Sequence, residues 1–204
     1  MENNGYGFFA MLDRMQYINR WGLMRNSRLE NIKEHSFDVA IIAHALAVIH
    51  NDMNREKGGI MTDPFKVQAY ALYHDCTEII TGDLPTPLKY KNDIIKSAYK
   101  EVEDEAARTL SGLLPEFMRA SYLELLAPSK NTDEEVITMR LVKAADRISA
   151  YLKCVSEESL GNKEFSSAKE TIRETIDKID LPEVRYFMDN FVPSYGMTLD
   201  DISK

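Results

Sequence analysis

Apolar side chains recur at i, i+3 and i+4 through nearly the whole chain, whereas alternating β-branched runs bounded by turn residues are almost absent. The first pattern lays an apolar stripe along one side of a helix; the second is what a half-buried strand would need. The spacing therefore predicts an all-α fold. A chain of 204 residues is long enough to bury one sizeable core. No second independent domain is expected, so residues 1–204 read as a single domain with a C-terminal helical extension.

The first helix is marked by Phe8, Leu12, Met15 and Ile18, and its apolar row stops at a polar stretch over 19–31. That long connection is a candidate for function. A second helix is expected over 31–51, apolar through Val39, Ile42, Ala43, Leu46 and Ile49, until Gly58-Gly59 breaks the pattern. A third opens at Asp63-Pro64, a cap followed by proline at the first helical position, and runs to Gly82 in the C-terminal glycine slot. The segment 83–90, with Pro85 and Pro87, must be a loop. Further helices are expected over 93–110, 115–126, 132–160, 164–179 and 183–191. The 132–160 helix is the clearest. It opens with a capping box, Thr132 three residues before Glu135, and carries the stripe Leu141, Ala145, Ile148, Leu152 up to Gly161. Seven or eight helices with mostly short connections describe a compact bundle.

Charge narrows the choice of partner. With 25 basic and 33 acidic residues the formal charge is -8, the wrong sign for general attraction to a nucleic-acid polymer or an anionic membrane. A small anionic substrate would need locally placed cations. The two cysteines, Cys76 and Cys154, lie inside helical patterns and read as reduced cytosolic thiols without a catalytic role. The N-terminal stretch lacks a basic region followed by an apolar one, and no run approaches eighteen apolar residues. The expected location is the cytoplasm.

Only four histidines are present, so a histidine-containing metal site has few possible compositions. His74-Asp75 is the conspicuous pair. Val67, Ala71, His74 and Glu78 are spaced to share one helix face, with Asp75 about 100° round and still able to reach an ion. Two carboxylates and an imidazole on one helix before a Pro-rich loop are costly to bury unless a cation or hydrogen bonds compensate them. His35 opens the second helix and Asp146 flanks the stripe of the 132–160 helix; both could converge on His74-Asp75. Two imidazoles and two carboxylates suit a divalent cation that keeps open positions for water and phosphate oxygens. Taken one at a time, the same residues read as a surface His35, a satisfied core His74 and a solvated Asp146. His44, within an apolar run, and His50, near a helix C-terminus, are assigned structural roles. Arg20, Trp21, Arg25 and Arg28 cluster in the connection before His35, guanidinium groups suited to a phosphate and an indole suited to a sugar or base face. A solvated basic loop anchored by Trp21 is the alternative.

The order His35, His74-Asp75, Asp146 resembles the H…HD…D signature of the HD superfamily of metal-dependent phosphohydrolases. The surrounding blocks narrow the resemblance. Asn19-Arg20-Trp21, Leu23-Met24-Arg25-Asn26, Glu34-His35-Ser36, Tyr73-His74-Asp75 with Glu78, the run from Thr81 to Pro87, and Tyr151-Leu152-Lys153-Cys154 closely resemble the bacterial HD-domain 5′-deoxynucleotidases. The likeness reaches Tyr186-Phe187-Met188 and Phe191-Val192-Pro193-Ser194, with looser matching over 93–130.

The resemblance implies a compact HD-type helical bundle, a cytoplasmic homodimer, and hydrolysis of deoxyribonucleoside 5′-monophosphates to deoxyribonucleoside and phosphate. It implies a divalent metal, cobalt, manganese or copper in assays, held by His35, His74, Asp75 and Asp146. It assigns Arg20 to orienting the phosphate, Trp21 to the deoxyribose, and Asp83, Leu84, Pro85 and Thr86 to closing over the nucleotide, with His35, Asp75 and Asp146 also facing substrate. Glu78 and Asp83 are its candidates for proton handling, and the choice between them stays open. Two other readings remain: an HD hydrolase acting on another phosphate ester or anhydride, and a non-catalytic HD module that senses a nucleotide.

Overall fold

The structure is a computed structural model that describes residues 5–85, 89 and 91–203. Thr86, assigned above to substrate binding, lies outside the described residues. Among the described residues there is no strand, and the expected all-α fold is found; the one β-type pairing is an isolated antiparallel bridge between Asn19 and Asn31. The helices are α1 (Phe8–Asp13), continued by a 3-10 turn Arg14–Tyr17, α2 (Ile32–Arg55), α3 (Pro64–Tyr73), α4 (Glu78–Thr81), α5 (Asp93–Gly112) and α6 (Glu116–Leu126). They continue with α7 (Asp133–Ser159), α8 (Ser166–Asp177), α9 (Pro182–Asn190) and α10 (Leu199–Ile202), with 3-10 turns at Lys163–Phe165 and Val192–Gly196.

Local signals account for several of these boundaries. The Thr132 capping box forms as read: Thr132 Oγ1 accepts from the Glu135 N–H at 3.2 Å while Glu135 Oε2 accepts from the Thr132 N–H at 3.1 Å. Asn92 caps α5 by accepting from the Ile95 N–H at 2.9 Å.

Two expectations are corrected. The helix expected over 63–82 is not continuous: α3 ends at Tyr73, residues 74–77 form a turn, and α4 begins at Glu78. The turn is closed by i to i+3 bonds, Cys76 N–H to Tyr73 O at 3.1 Å and Glu78 N–H to Asp75 O at 3.0 Å. Such bonds wind about 120° per residue instead of about 100°, so the apolar positions stay inward and the sequence pattern does not register the change. His74 and Asp75 therefore sit on a turn, and His74 does not share a continuous helix face with Glu78. The second helix continues past Asn51 to Arg55, so His50 is not at a C-terminus. Its Nε2 instead faces the Ile60 carbonyl at 3.0 Å and its Nδ1 faces Glu183 Oε1 at 2.8 Å, a buried tie that keeps its assigned role structural.

The chain divides into two compact units. One comprises Met1–Gly22, Leu29–Ser36 and Leu72–Ser129. Its core gathers Phe8, Met15, Ile32, Cys76, Ala107, Leu110, Leu114 and Leu126. Phe8 is fully buried and meets Tyr122 edge-on at 5.0 Å, a burial that stabilises by roughly 1.5–3 kcal/mol. The other comprises Leu23–Arg28, Phe37–Ala71 and Lys130–Lys204, where α7 buries Leu141, Val142, Ala145 and Ile148 and packs on α8. Both cysteines are buried and outside any disulfide among the described residues, and burial pushes the Cys76 thiol well above its usual range, in keeping with an inert role. Among the described residues no helix is long and apolar enough to cross a membrane.

Candidate active site

His35 occupies the first turn of α2 because Asn31 starts that helix: its Oδ1 accepts from the Lys33 and Glu34 N–H groups at 3.1 and 3.0 Å. The Ile32 N–H donates to Ile18 O at 3.0 Å and the Ile32 side chain is fully buried, which holds this end of α2 against the segment before it. On the other side, Cys76 anchors the 74–77 turn by inserting beside Met15, sulfur to sulfur at 3.6 Å. These anchors bring three side chains together within one unit. Asp75 Oδ2 lies 3.6 Å from His35 Nε2 and 3.2 Å from His74 Nε2, and the two imidazole centroids are 5.3 Å apart. One ligand atom from each of His35, His74 and Asp75 fits within a mutual distance of 4.8 Å.

His35 is fully buried, and the side chains of His74 and Asp75 are 14% and 21% exposed. Burial opposes the charge on Asp75, yet His74, His35 and Arg20 together hold its carboxyl well below the usual carboxylate range. A carboxylate kept ionised between two imidazoles is the donor set a divalent cation takes, so these residues fit such an ion. Asp146 is half-buried on α7, in the other unit.

Arg20 and Trp21 follow the first helix. Arg20 Nη1 donates to Glu30 Oε2 at 2.6 Å with both side chains mostly buried, and the Arg20 N–H donates to Glu30 O at 2.9 Å. Side chain and backbone thus fasten the two ends of the connection together. The guanidinium lies 5.8 Å from the Trp21 ring centroid. Trp21 has φ +58°, the single non-glycine residue in the left-handed region among the described residues. A large side chain rarely adopts that backbone, and such strain concentrates at working sites. Arg25, a further cation of the connection, is engaged by Glu164 at 2.6 Å.

Glu78 opens α4 and is 5% exposed. Burial, then the nearby Asp75 charge, pushes its carboxyl up to about 8, with Lys89 pulling the other way. Lys89 Nζ donates to Glu78 Oε1 at 2.7 Å. Gly82 ends α4 at φ +73°, a conformation that suits glycine, and turns the chain into Asp83. Asp83 is half-buried; burial raises its carboxyl while Arg20 and Lys89 oppose the rise. Leu84 is half-buried and Pro85 exposed.

The structure therefore assembles His35, His74 and Asp75 directly and places Arg20 and Lys89 where their charges act on Asp75 and Asp83. Glu30 and Lys89 were missed by sequence reasoning. Each is an ordinary charged residue in a connection, and only its long-range partner distinguishes it.

This arrangement sits in the fold of the HD-domain phosphohydrolases. The chain superposes on an HD-domain phosphohydrolase from Listeria innocua with a TM-score of 0.74 at 22% identity, over 92% of this chain and 87% of that one. It also superposes on the cyanophage S-2L HD phosphohydrolase DatZ, solved bound to dA and one catalytic Zn2+, with a TM-score of 0.58 at 19% identity, over 91% and 96% of the two chains. Residues 7–195 match the YfbR-like 5′-deoxynucleotidases, and the chain belongs to that family. It is 45% identical to a 5′-deoxynucleotidase of Erwinia tasmaniensis over 97% of this chain and 96% of that one. It is 44% identical to a 5′-deoxynucleotidase of Photorhabdus temperata over 96% of each.

Proposed function

We propose that the chain hydrolyses deoxyribonucleoside 5′-monophosphates, with a divalent metal, to deoxyribonucleoside and inorganic phosphate. The observation that carries this is the convergence of His35, His74 and Asp75 within 4.8 Å in a chain of the YfbR-like family. His35, His74 and Asp75 would hold the ion, with Asp146 as the fourth ligand by the family resemblance. A bound divalent cation supplies charge neutralisation at a phosphoryl oxygen and lowers the pKa of water.

Hydrolysis forms a bond from a water oxygen to phosphorus and breaks the bond from phosphorus to the 5′-oxygen. One proton of the water ends on the 5′-oxygen of the released nucleoside, so a group must carry it. Glu78, buried and shifted toward neutrality, suits that transfer, and Asp83 is the second candidate. Arg20, fixed by Glu30, orients the phosphate and offsets its remaining charge. Trp21 lies against the deoxyribose, and Asp83, Leu84, Pro85 and Thr86 close over the nucleotide. Cobalt, manganese or copper would serve as the metal, and the protein would be a cytoplasmic homodimer; family likeness supports both readings.

Product analysis tests the proposal. Phosphate together with deoxyadenosine from deoxyadenosine monophosphate is expected. Pyrophosphate or triphosphate released from deoxyadenosine triphosphate in preference would assign the chain to a different phosphohydrolase activity.

A further inference from the structure

The buried Glu78 side chain is held in place by a residue that no sequence motif marked. Lys89 Nζ donates to Glu78 Oε1 at 2.7 Å, and its side chain is 17% exposed. The same ammonium lies 5.1 Å over the ring of Tyr99, on α5. The Tyr99 hydroxyl is 3.2 Å from Thr81 Oγ1, which donates to Gly82 O at 3.1 Å, so the ring that supports Lys89 is itself tied to the end of α4. At the backbone, the Lys89 N–H donates to Pro85 O at 3.2 Å. A long, flexible lysine is thus held at its main chain, by a ring and by a carboxylate, and works as a strut between α5 and Glu78.

We propose that Lys89 is a positioning residue for the phosphomonoesterase reaction: it fixes the Glu78 carboxylate for proton transfer and does not bind the nucleotide. The inference rests on the deoxynucleotidase reading and extends it to a residue beyond the metal and phosphate positions. Its ground is geometric. The ammonium is held by Glu78 and by the Tyr99 ring, two contacts that aim it at the carboxylate.

The test measures kcat, KM for deoxyadenosine monophosphate and bound metal for wild type, Lys89→Met, Lys89→Arg, Glu78→Gln and the Lys89→Met/Glu78→Gln double variant, with circular dichroism to check folding. Lys89→Met is expected to lower kcat by about 10-fold or more, on the scale of general acid–base effects. KM should stay within about twofold, bound metal should be unchanged, and Lys89→Arg should recover most of the loss. The double variant should match Glu78→Gln, because Lys89 acts through that carboxylate. A loss confined to KM, losses that multiply in the double variant, or an unaltered Lys89→Met would each overturn the assignment. If Lys89→Met does not fold, Lys89→Arg decides: full loss of kcat with native circular dichroism contradicts the strut. An inactive wild type would remove the deoxynucleotidase reading and this inference with it, whereas an active wild type with an unaltered Lys89→Met removes only the inference.

Discussion

Removing the Glu157 carboxylate should destabilise the fold more than any surface charge change. Glu157 is 1% exposed on α7 and collects four donors: the Ser27 N–H at 2.8 Å, the Arg28 N–H at 3.1 Å, Asn162 Nδ2 at 2.8 Å and Lys153 Nζ. Lys153, 8% exposed, also donates to Arg28 O, and Asn162 Nδ2 donates to Arg25 O at 2.7 Å. Within this unit, one carboxylate thus pins the segment Leu23–Arg28 to α7. Glu157→Ala leaves a buried ammonium uncompensated, which costs about 3–5 kcal/mol. Against a typical total stability of about 5–15 kcal/mol that is a large share, and for a chain of this length it lowers Tm by roughly 6–20 °C. Ser27 and Arg28 are exposed residues, so water can replace the carboxylate at their N–H groups. A Lys153→Met/Glu157→Leu double variant should therefore lose less than either single variant. Burial opposes the Glu157 charge, but Lys153, Ser27, Asn162 and Arg28 hold its carboxyl far below the ordinary 4.5. A depressed carboxyl stabilises above the unfolded-state value and loses that contribution as pH falls toward the folded-state value. The gap between wild type and Glu157→Gln should be full at neutral pH and shrink below about 4.5. Equilibrium urea unfolding at neutral and acid pH measures both effects. A Glu157→Ala cost below about 1 kcal/mol, the size of a surface pair, or additive losses in the double variant would refute the reasoning.

Three further outcomes follow from the site. Glu78→Ala should lower kcat by about 100-fold or more while bound metal, measured by elemental analysis, stays near the wild-type level; unchanged turnover would remove its proton-handling role. Glu30→Ala should lower kcat/KM by about 10-fold through misplacement of Arg20, on the scale of a poorly oriented group, and should add little to Arg20→Ala. Equal, independent losses in steady-state kinetics would show that Glu30 does not act through the guanidinium. Trp21→Ala should narrow the discrimination between deoxyadenosine and adenosine monophosphates in parallel rate measurements, and a variant that still rejects the ribonucleotide would place the selectivity elsewhere.

Much of the fold was legible because it depends on local pattern. Apolar rows at helical spacing located most of the helices, and Thr132 with Glu135 announced a cap that forms as read. The break after Tyr73 was not legible, since a few residues of tighter winding keep Cys76 inward just as a continuous helix would. His35 could be matched to His74-Asp75 only through the family signature, because their proximity depends on packing between segments distant in sequence. The same holds for Glu30 with Arg20, Lys89 with Glu78 and Glu157 with the Leu23–Arg28 segment. These pairings leave no periodic trace, and each is visible only once the connection has folded back.

Phosphate release from metal-stripped protein, after cobalt, manganese or magnesium is restored, decides whether the chain is a metal-dependent deoxynucleotidase. Deoxyadenosine monophosphate, adenosine monophosphate and deoxyadenosine triphosphate would be offered in parallel, with Asp75→Ala as the comparison. Metal-dependent phosphate is expected from deoxyadenosine monophosphate alone, abolished in Asp75→Ala. Absence of release from that substrate in protein with confirmed bound metal, or undiminished release by Asp75→Ala, would contradict it.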